Sequence, residues 1–519
     1  MNTDKTKSSP SVFYFNLSVL IRVNLWLLNL AVFGAGSALA DPALQYHCGG
    51  ASRLAQDTRL ATLHKALALP STTNLQNLAR TKFSRWLAGA LPLPNNPSSA
   101  ALLEPLLSDV VENESLGSFG GASNNPSSFI LAFHLDAPRA QLWQDTFAKI
   151  FGAAGETFAC QTFNGRRWNT GNSHSLWLIP ARDWLLAGCG GDFSAAQAQY
   201  LDQIQATGRP VPALKDHWLE AGIETARLGG WFRLLQPAGI SMSVTPNGDD
   251  LQLDARLLEA EPIPWESGPW QIPTNLMRGQ IISFTAGQNV GAFLKMNPAL
   301  AHLAGNPLTN QFYFWALDQL PLLNYMAWPE ANASNTLDKL STQAPAALNP
   351  LLKRFNGTEL VWHREARTLA LQNIRMFVPI LEAVRDEGGK FLFLSSFPRA
   401  GGKPAPDGLP GQIKGRTNLV YYDWELTGKR LQEWQMLSGM IANRAGAKKS
   451  EAEDYGTIEL EWLQDMGRFK GNTVTEITRH PPNELSITRQ APVGFTAVEL
   501  VLLADWLCDA NTGPIHSAP

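Results

Sequence analysis

Charge is scarce in this chain of 519 residues: Asp, Glu, Lys and Arg make up only 17% of it, against roughly 25% in ordinary globular proteins. The 42 basic and 45 acidic residues leave a net charge of −3. That balance excludes a basic nucleic-acid binder and a disordered acidic tail as default classes. Cysteine is scarcer still, with Cys48, Cys160, Cys189 and Cys508 and no C-x-x-C pair, which removes thioredoxin-type redox chemistry and zinc ribbons. The nine histidines are scattered, and none lies within four residues of another, so no H-E-x-x-H metal helix exists. The sequence also lacks G-x-S-x-G, S-x-x-K, Walker A and G-x-G-x-x-G motifs, so no catalytic residue, metal or cofactor is expected. Beyond residue 40 no run of 18 apolar residues occurs, and no membrane span is expected in the mature chain.

The first forty residues carry an export pattern. Lys5 and Lys7 precede an apolar core from Val23 to Phe33, and Ala38 and Ala40 form an A-x-A cleavage pattern before Asp41. Cleavage after Ala40 would leave a periplasmic or secreted protein. The alternative is an uncleaved segment that anchors the chain in the inner membrane. Export places the cysteines in an oxidising compartment. Cys160 and Cys189 lie in neighbouring expected strands and form the favoured disulfide; Cys48 and Cys508, near the two ends, form a second candidate. Four buried free thiols are the competing expectation.

Along the chain, hairpins and helices alternate. Residues 53–90 have helical apolar spacing, and residues 91–127 read as loop from their Pro, Asn, Ser and Gly content. Ser128–Leu135 is an apolar strand, and Asp136 caps a helix carrying Trp143, Phe147 and Ile150. Asn164-Gly165 predicts a hairpin turn. Ile240, Met242 and Val244 alternate with polar residues, as do Leu251, Leu253, Ala255 and Leu257 across Pro246–Asp249, which predicts an amphipathic hairpin. The pattern predicts an α+β fold, with antiparallel sheets built from hairpins and helices packed on one face. The expected organisation is a signal peptide (1–40), an α+β domain (41–260), a Pro/Trp-rich linker (261–273) and a second α+β domain (274–519). Setting residue n against n + 291 aligns Leu135, Arg139, Gln141, Trp143, Gln144 and Ile150 with Leu426, Arg430, Gln432, Trp434, Gln435 and Ile441. This suggests a duplicated βαββα unit.

Seventeen tryptophans are the unusual count. Most suit core packing, but Trp265 and Trp270 lie in the Pro-rich connector and are the candidate ligand-binding residues, able to stack on a sugar or rest against a partner or lipid. The stretches Gly415–Trp434 (GRTNLVYYDWELTGKRLQEW) and Arg489–Trp506 (RQAPVGFTAVELVLLADW) resemble exported bacterial proteins of an uncharacterised family with no assigned activity. That resemblance covers at most residues 355–508 and implies export and an α+β fold. The expected function is a non-catalytic binding or structural protein of the cell envelope, with an envelope protein, a glycan or a lipid as partner and no nucleic acid. The alternative is a secreted hydrolase of a polymeric substrate, its carboxylates brought together by the fold.

Overall fold

The computed structural model describes residues 43–508, with breaks at 91–92, 94–97, 121–128, 171–174, 191–193, 226–236, 260–261, 263–264, 266–267, 290–309, 319–323, 354–357, 374–377, 397–402, 404–407 and 446–452. The export segment and parts of the expected linker lie outside the described residues. The first half contains β1 (Leu44–Cys48), α1 (Ala51–Gln56), α2 (Ala61–Leu67), α3 (Pro70–Ala90), α4 (Ser99–Glu112), β2 (Ser115–Phe119), β3 (Phe129–His134), α5 (Ala137–Phe151), β4 (Glu156–Cys160), β5 (Phe163–Asn169), β6 (Ser175–Ala181), β7 (Trp184–Cys189), α6 (Ser194–Thr207), β8 (Leu219–Ile223), β9 (Pro237–Asn247) and β10 (Asp250–Glu259). The second half contains β11 (Ile281–Gln288), β12 (Gln311–Leu317), β13 (Asn324–Pro329), α7 (Ala333–Leu352), β14 (Glu359–His363), β15 (Thr368–Gln372), β16 (Ile380–Asp386), β17 (Gly389–Ser395), α8 (Gly408–Gly411), β18 (Leu419–Leu426), α9 (Thr427–Ala445), α10 (Glu453–Met466), β19 (Asn472–His480), β20 (Glu484–Ala491) and α11 (Ala497–Cys508).

The protein is α+β, and its strands form one 20-stranded sheet in which every neighbouring pair is antiparallel. Two central strands, β10 and β20, pair from Leu251↔Ala491 to Leu258↔Glu484. Outward from that seam the order is β10-β9-β8-β1-β2-β3-β7-β6-β5-β4 on one side and β20-β19-β18-β11-β12-β13-β17-β16-β15-β14 on the other. The two halves therefore share one strand order, each strand matching the one ten places later. In this arrangement β3 and α5 correspond to β13 and α7. The stretches aligned by n + 291 instead lie on β3–α5 and β18–α9, which occupy different places in the sheet. Their likeness is that of two strand-to-helix junctions, with Asp136 accepting from the Arg139 amide at 2.9 Å in the first.

Alternation along the strands divides the core. Leu176 and Leu178 of β6 pack with α4 and α5 on one face, while Trp177 and Ile179 pack with Leu201 and Ile204 of α6 on the other. In the second half Phe284, Tyr313, Trp315, Tyr325, Phe393 and Tyr422 form an aromatic core across five strands. A helical cluster joins the halves: Leu75 of α3 packs with Leu431 of α9, Trp462 of α10 and Leu500 of α11.

Three local expectations are corrected. The hairpin turn lies at Gln161–Thr162, not at Asn164-Gly165, because Phe158 faces Gly165 across the strands and its ring fills the space a Cβ would need, at 2.7 Å. Within the expected loop 91–127 the chain forms α4, despite Pro105 inside it, and β2. The expected Cys160–Cys189 disulfide is not formed: β5 and β6 separate β4 from β7, about 14 Å at ~4.8 Å per strand, twice the reach of a disulfide. All four cysteines are free thiols. Burial pushes Cys189 up to about 11 and Cys508 up to about 12.

Candidate functional site

The face of the second-half sheet opposite the aromatic core is polar. Because side chains alternate, Tyr422 and Trp424 of β18 join that core while Asp423 and Glu425 point the other way. Register places Ser283 and Thr285 of β11 opposite Glu425 and Asp423, and Thr475 of β19 opposite Asp423 on the other side. Thr475 in turn faces Arg489 of β20. Helices α9 and α11 cover this row and add Thr427, Arg430, Glu433 and Glu499, all buried.

Each charge in this belt has a partner. Arg489 and Glu499 are only 3% and 1% exposed; the Arg489 Nη1 donates to both carboxylate oxygens of Glu499 at 2.8 and 3.0 Å, and the Arg489 Nε donates to Thr475 Oγ1 at 2.9 Å. Glu499 also accepts from the Thr496 amide at 2.8 Å, and its own amide donates to Thr496 Oγ1 at 3.4 Å. These reciprocal bonds form a capping box at the start of α11. Glu425 Oε1 accepts from the Ala497 amide at 2.7 Å, and Asp423 accepts from Thr285 Oγ1 at 2.6 Å. Arg430 pairs with Glu433 at 2.5 Å and lies over the rings of Phe314 and Trp434.

Asp423, Glu425, Glu433 and Glu499 face only two guanidinium groups, Arg430 and Arg489, so the acids are in excess. Burial, which disfavours the charged form, lifts Asp423 above the usual carboxylate range despite its Thr285 hydrogen bond. It pushes Glu425 up to about 7, with the neighbouring Asp423 adding to the rise. Burial raises Glu433 as well, against the pull of Arg430. Among the described residues no group of three or more His, Cys, Asp or Glu has the geometry to hold a metal ion. A small polar cavity of about 120 Å³ lies elsewhere, lined by Arg53, Asp57, Arg59, Lys215, His217 and Trp218 among others. Its guanidinium groups are engaged: Arg53 donates to the Lys215 carbonyl at 2.6 Å, and Arg59 grips Asp57 at 2.7 and 2.9 Å.

The two candidate tryptophans are both part-buried. The Arg479 guanidinium lies 5.1 Å from the Trp265 ring. Trp270 donates its indole N–H to the Arg416 carbonyl at 3.0 Å and meets Tyr313 edge-on at 6.1 Å between centroids. They engage different parts of the second half, and neither joins the belt. Sequence reasoning missed the belt residues. Two signals were available: T-x-x-E at Thr496–Glu499 before an apolar run, and two acids spaced i, i+2 inside the aromatic strand Leu419–Leu426.

No known protein family matches the sequence, and no curated protein does. Crystal forms III and IV of TP0453 match in structure with 13% identity and TM-scores of 0.24. They cover 46% and 44% of this chain and 82% and 79% of theirs. Among the described residues no helix is long and apolar enough to cross a membrane.

Proposed function

We propose that this chain is an exported, non-catalytic binding or structural protein of the bacterial cell envelope. The observation that carries this reading is the use made of its buried carboxylates. Glu425 and Glu499 are spent on the N-terminus of α11 and on Arg489, beneath two helices. Groups so enclosed hold a scaffold together. The N-terminal pattern of Lys5, Lys7, the Val23–Phe33 core and Ala38-Leu39-Ala40 supports export. Within this reading Trp265 and Trp270 are the residues proposed to meet a glycan or lipid, and an envelope protein is the other candidate partner. The test is the mass of the chain recovered from the periplasm. A chain starting at Asp41 is expected. Recovery with residues 1–40 intact in the membrane fraction would favour the anchored form, and recovery from the cytoplasm would overturn the reading. A thermal-shift screen with glycans and lipids then assigns the ligand class, since a ligand of the folded state raises the midpoint.

A second reading is favoured by one observation. Asp423 and Glu425 stand two residues apart on one strand face, both raised by burial and Glu425 to about 7, and a carboxyl raised toward neutrality next to a second carboxyl is what a general acid of polysaccharide hydrolysis requires. Hydrolysis of a polysaccharide by the native chain and its loss in Glu425→Gln would establish this hydrolase.

A further inference from the structure

The sheet ends at two edge strands, β4 and β14, which hold equivalent places in the two halves. An edge strand exposes a row of N–H and C=O groups able to pair with another chain. In the second half the middle of that row is capped from within, at Leu360. The Leu360 amide donates to Asn349 Oδ1 at 2.7 Å and the Asn349 Nδ2 donates to the Leu360 carbonyl at 3.1 Å. The amide side chain on α7 thus takes the place of a neighbouring strand.

The first half has no such cap among the described residues. Strand β4 pairs with β5 alone, and Glu156, Thr157 and Ala159 are exposed. Helix α5, the counterpart of α7, packs instead on β6. The Gln161–Thr162 turn is a two-residue loop, so its flanking pair Cys160–Phe163 is hydrogen-bonded. Alternation then turns Phe158 and Glu156 inward as well, and leaves the backbone groups of Thr157 and Ala159 facing outward.

The two flanks of this edge differ in chemistry. Phe158 and Cys160 lie part-buried on the α6 side, with the Arg167–Glu156 pair at 2.9 Å beside them. On the other side Thr157 and Ala159 are small, and the Arg166 guanidinium, directly across from Thr157, makes one long hydrogen bond, to the Ala154 carbonyl at 3.5 Å. The size of the edge decides the occupant. Five residues span about 17 Å, and a strip one strand spacing (~4.8 Å) wide along them covers on the order of 80 Å², far short of the roughly 800 Å² per partner that a stable globular interface buries, but enough for one extended segment. We propose that the outer edge of β4 binds an extended peptide segment of a partner protein by strand addition. The segment alternates apolar residues, facing Phe158, with acidic residues, facing Arg166. This deepens the binding reading above and rests on it.

The test is fluorescence anisotropy of two labelled heptapeptides, one alternating Val and Glu and one alternating Val and Lys, titrated with residues 41–519. Ala159→Pro removes an outward N–H while sparing the bonds to β5, a placement in which edge strands tolerate proline. Ala159→Ser controls for the substitution, and circular dichroism verifies folding of both. The expected result is saturable binding of the Val–Glu peptide, weakened about tenfold or more in Ala159→Pro, reduced in Arg166→Gln and unchanged in Ala159→Ser. Three outcomes would overturn the proposal: no saturable binding of either peptide, equal binding by Ala159→Pro, or a self-associated dimer that Ala159→Pro dissolves. None of them bears on export, which the mass measurement tests separately.

Discussion

At the scale of single residues, the Arg489–Glu499 ion pair is buried on both sides. Removing one partner of a buried pair strands the other without a counter-charge, at about 3–5 kcal/mol. Glu499→Gln keeps an oxygen for the Thr496 cap but loses the charge, and its unfolding free energy from urea titration is expected to fall by that amount. The double variant Arg489→Met/Glu499→Gln is expected to lose less. Glu425 gives a pH signature. Its folded pKa of about 7 lies above the unfolded carboxylate value, so the folded state holds a proton that the unfolded state releases. The corresponding stability is fully present below the unfolded value near 4.5 and is lost as pH rises through 7. Asp423 acts in the same direction. Glu114 opposes them. Burial would lift it, but hydrogen bonds from His47 and Arg209 hold it below the usual range, so its contribution is lost as pH falls. Urea unfolding at pH 5 and pH 8 checks the sign: the fall toward pH 8 is expected to shrink in Glu425→Gln.

At the scale of elements, four strand glycines each stand directly opposite an aromatic ring: Gly117 and Tyr46, Gly165 and Phe158, Gly188 and Trp177, Gly287 and Phe312. A Cβ at each would lie 2.1–2.7 Å from that ring. The ring folds over the bare backbone of its neighbour and covers what glycine leaves open. Gly188→Ala would place its methyl 2.1 Å from the Trp177 ring in a buried strand. A loss of about 1–3 kcal/mol is expected from overpacking, read from thermal unfolding. The same device explains the misplaced turn, since Asn164-Gly165 looks like a hairpin loop until Phe158 is known to lie across from the glycine. It also explains β2, whose Ser-Leu-Gly-Ser-Phe sequence reads as loop without its neighbours.

At the scale of the whole molecule, one sheet and one helical cluster join the two halves. They share the β10–β20 ladder, and α3 of the first half docks on α10 and α11 of the second. The Trp462 indole donates to Thr72 Oγ1 at 3.1 Å, and the Thr72 hydroxyl donates to the Ala66 carbonyl. Thr72→Val leaves both partners unsatisfied and is expected to cost about 1–3 kcal/mol. Fluorescence and far-ultraviolet dichroism are expected to report one shared transition, because the seam ties both halves. Separate midpoints for the two halves would contradict this coupling.

Local pattern alone determined the α+β class, the amphipathic β9–β10 hairpin, the Asp136 cap and the apolar helices, because these depend on residues within a few positions of one another. The tertiary structure decided what depends on distant strands. Sequence places Cys160 and Cys189 in consecutive hairpins, yet two intervening strands hold them apart. It aligns Leu135 with Leu426 by residue likeness, whereas the shared strand order matches β3 with β13. The buried belt draws on β11, β18, β19, β20 and two helices, from Ser283 to Glu499. No window of sequence contains it, and its charges are buried only because the sheet brings those segments under one pair of helices.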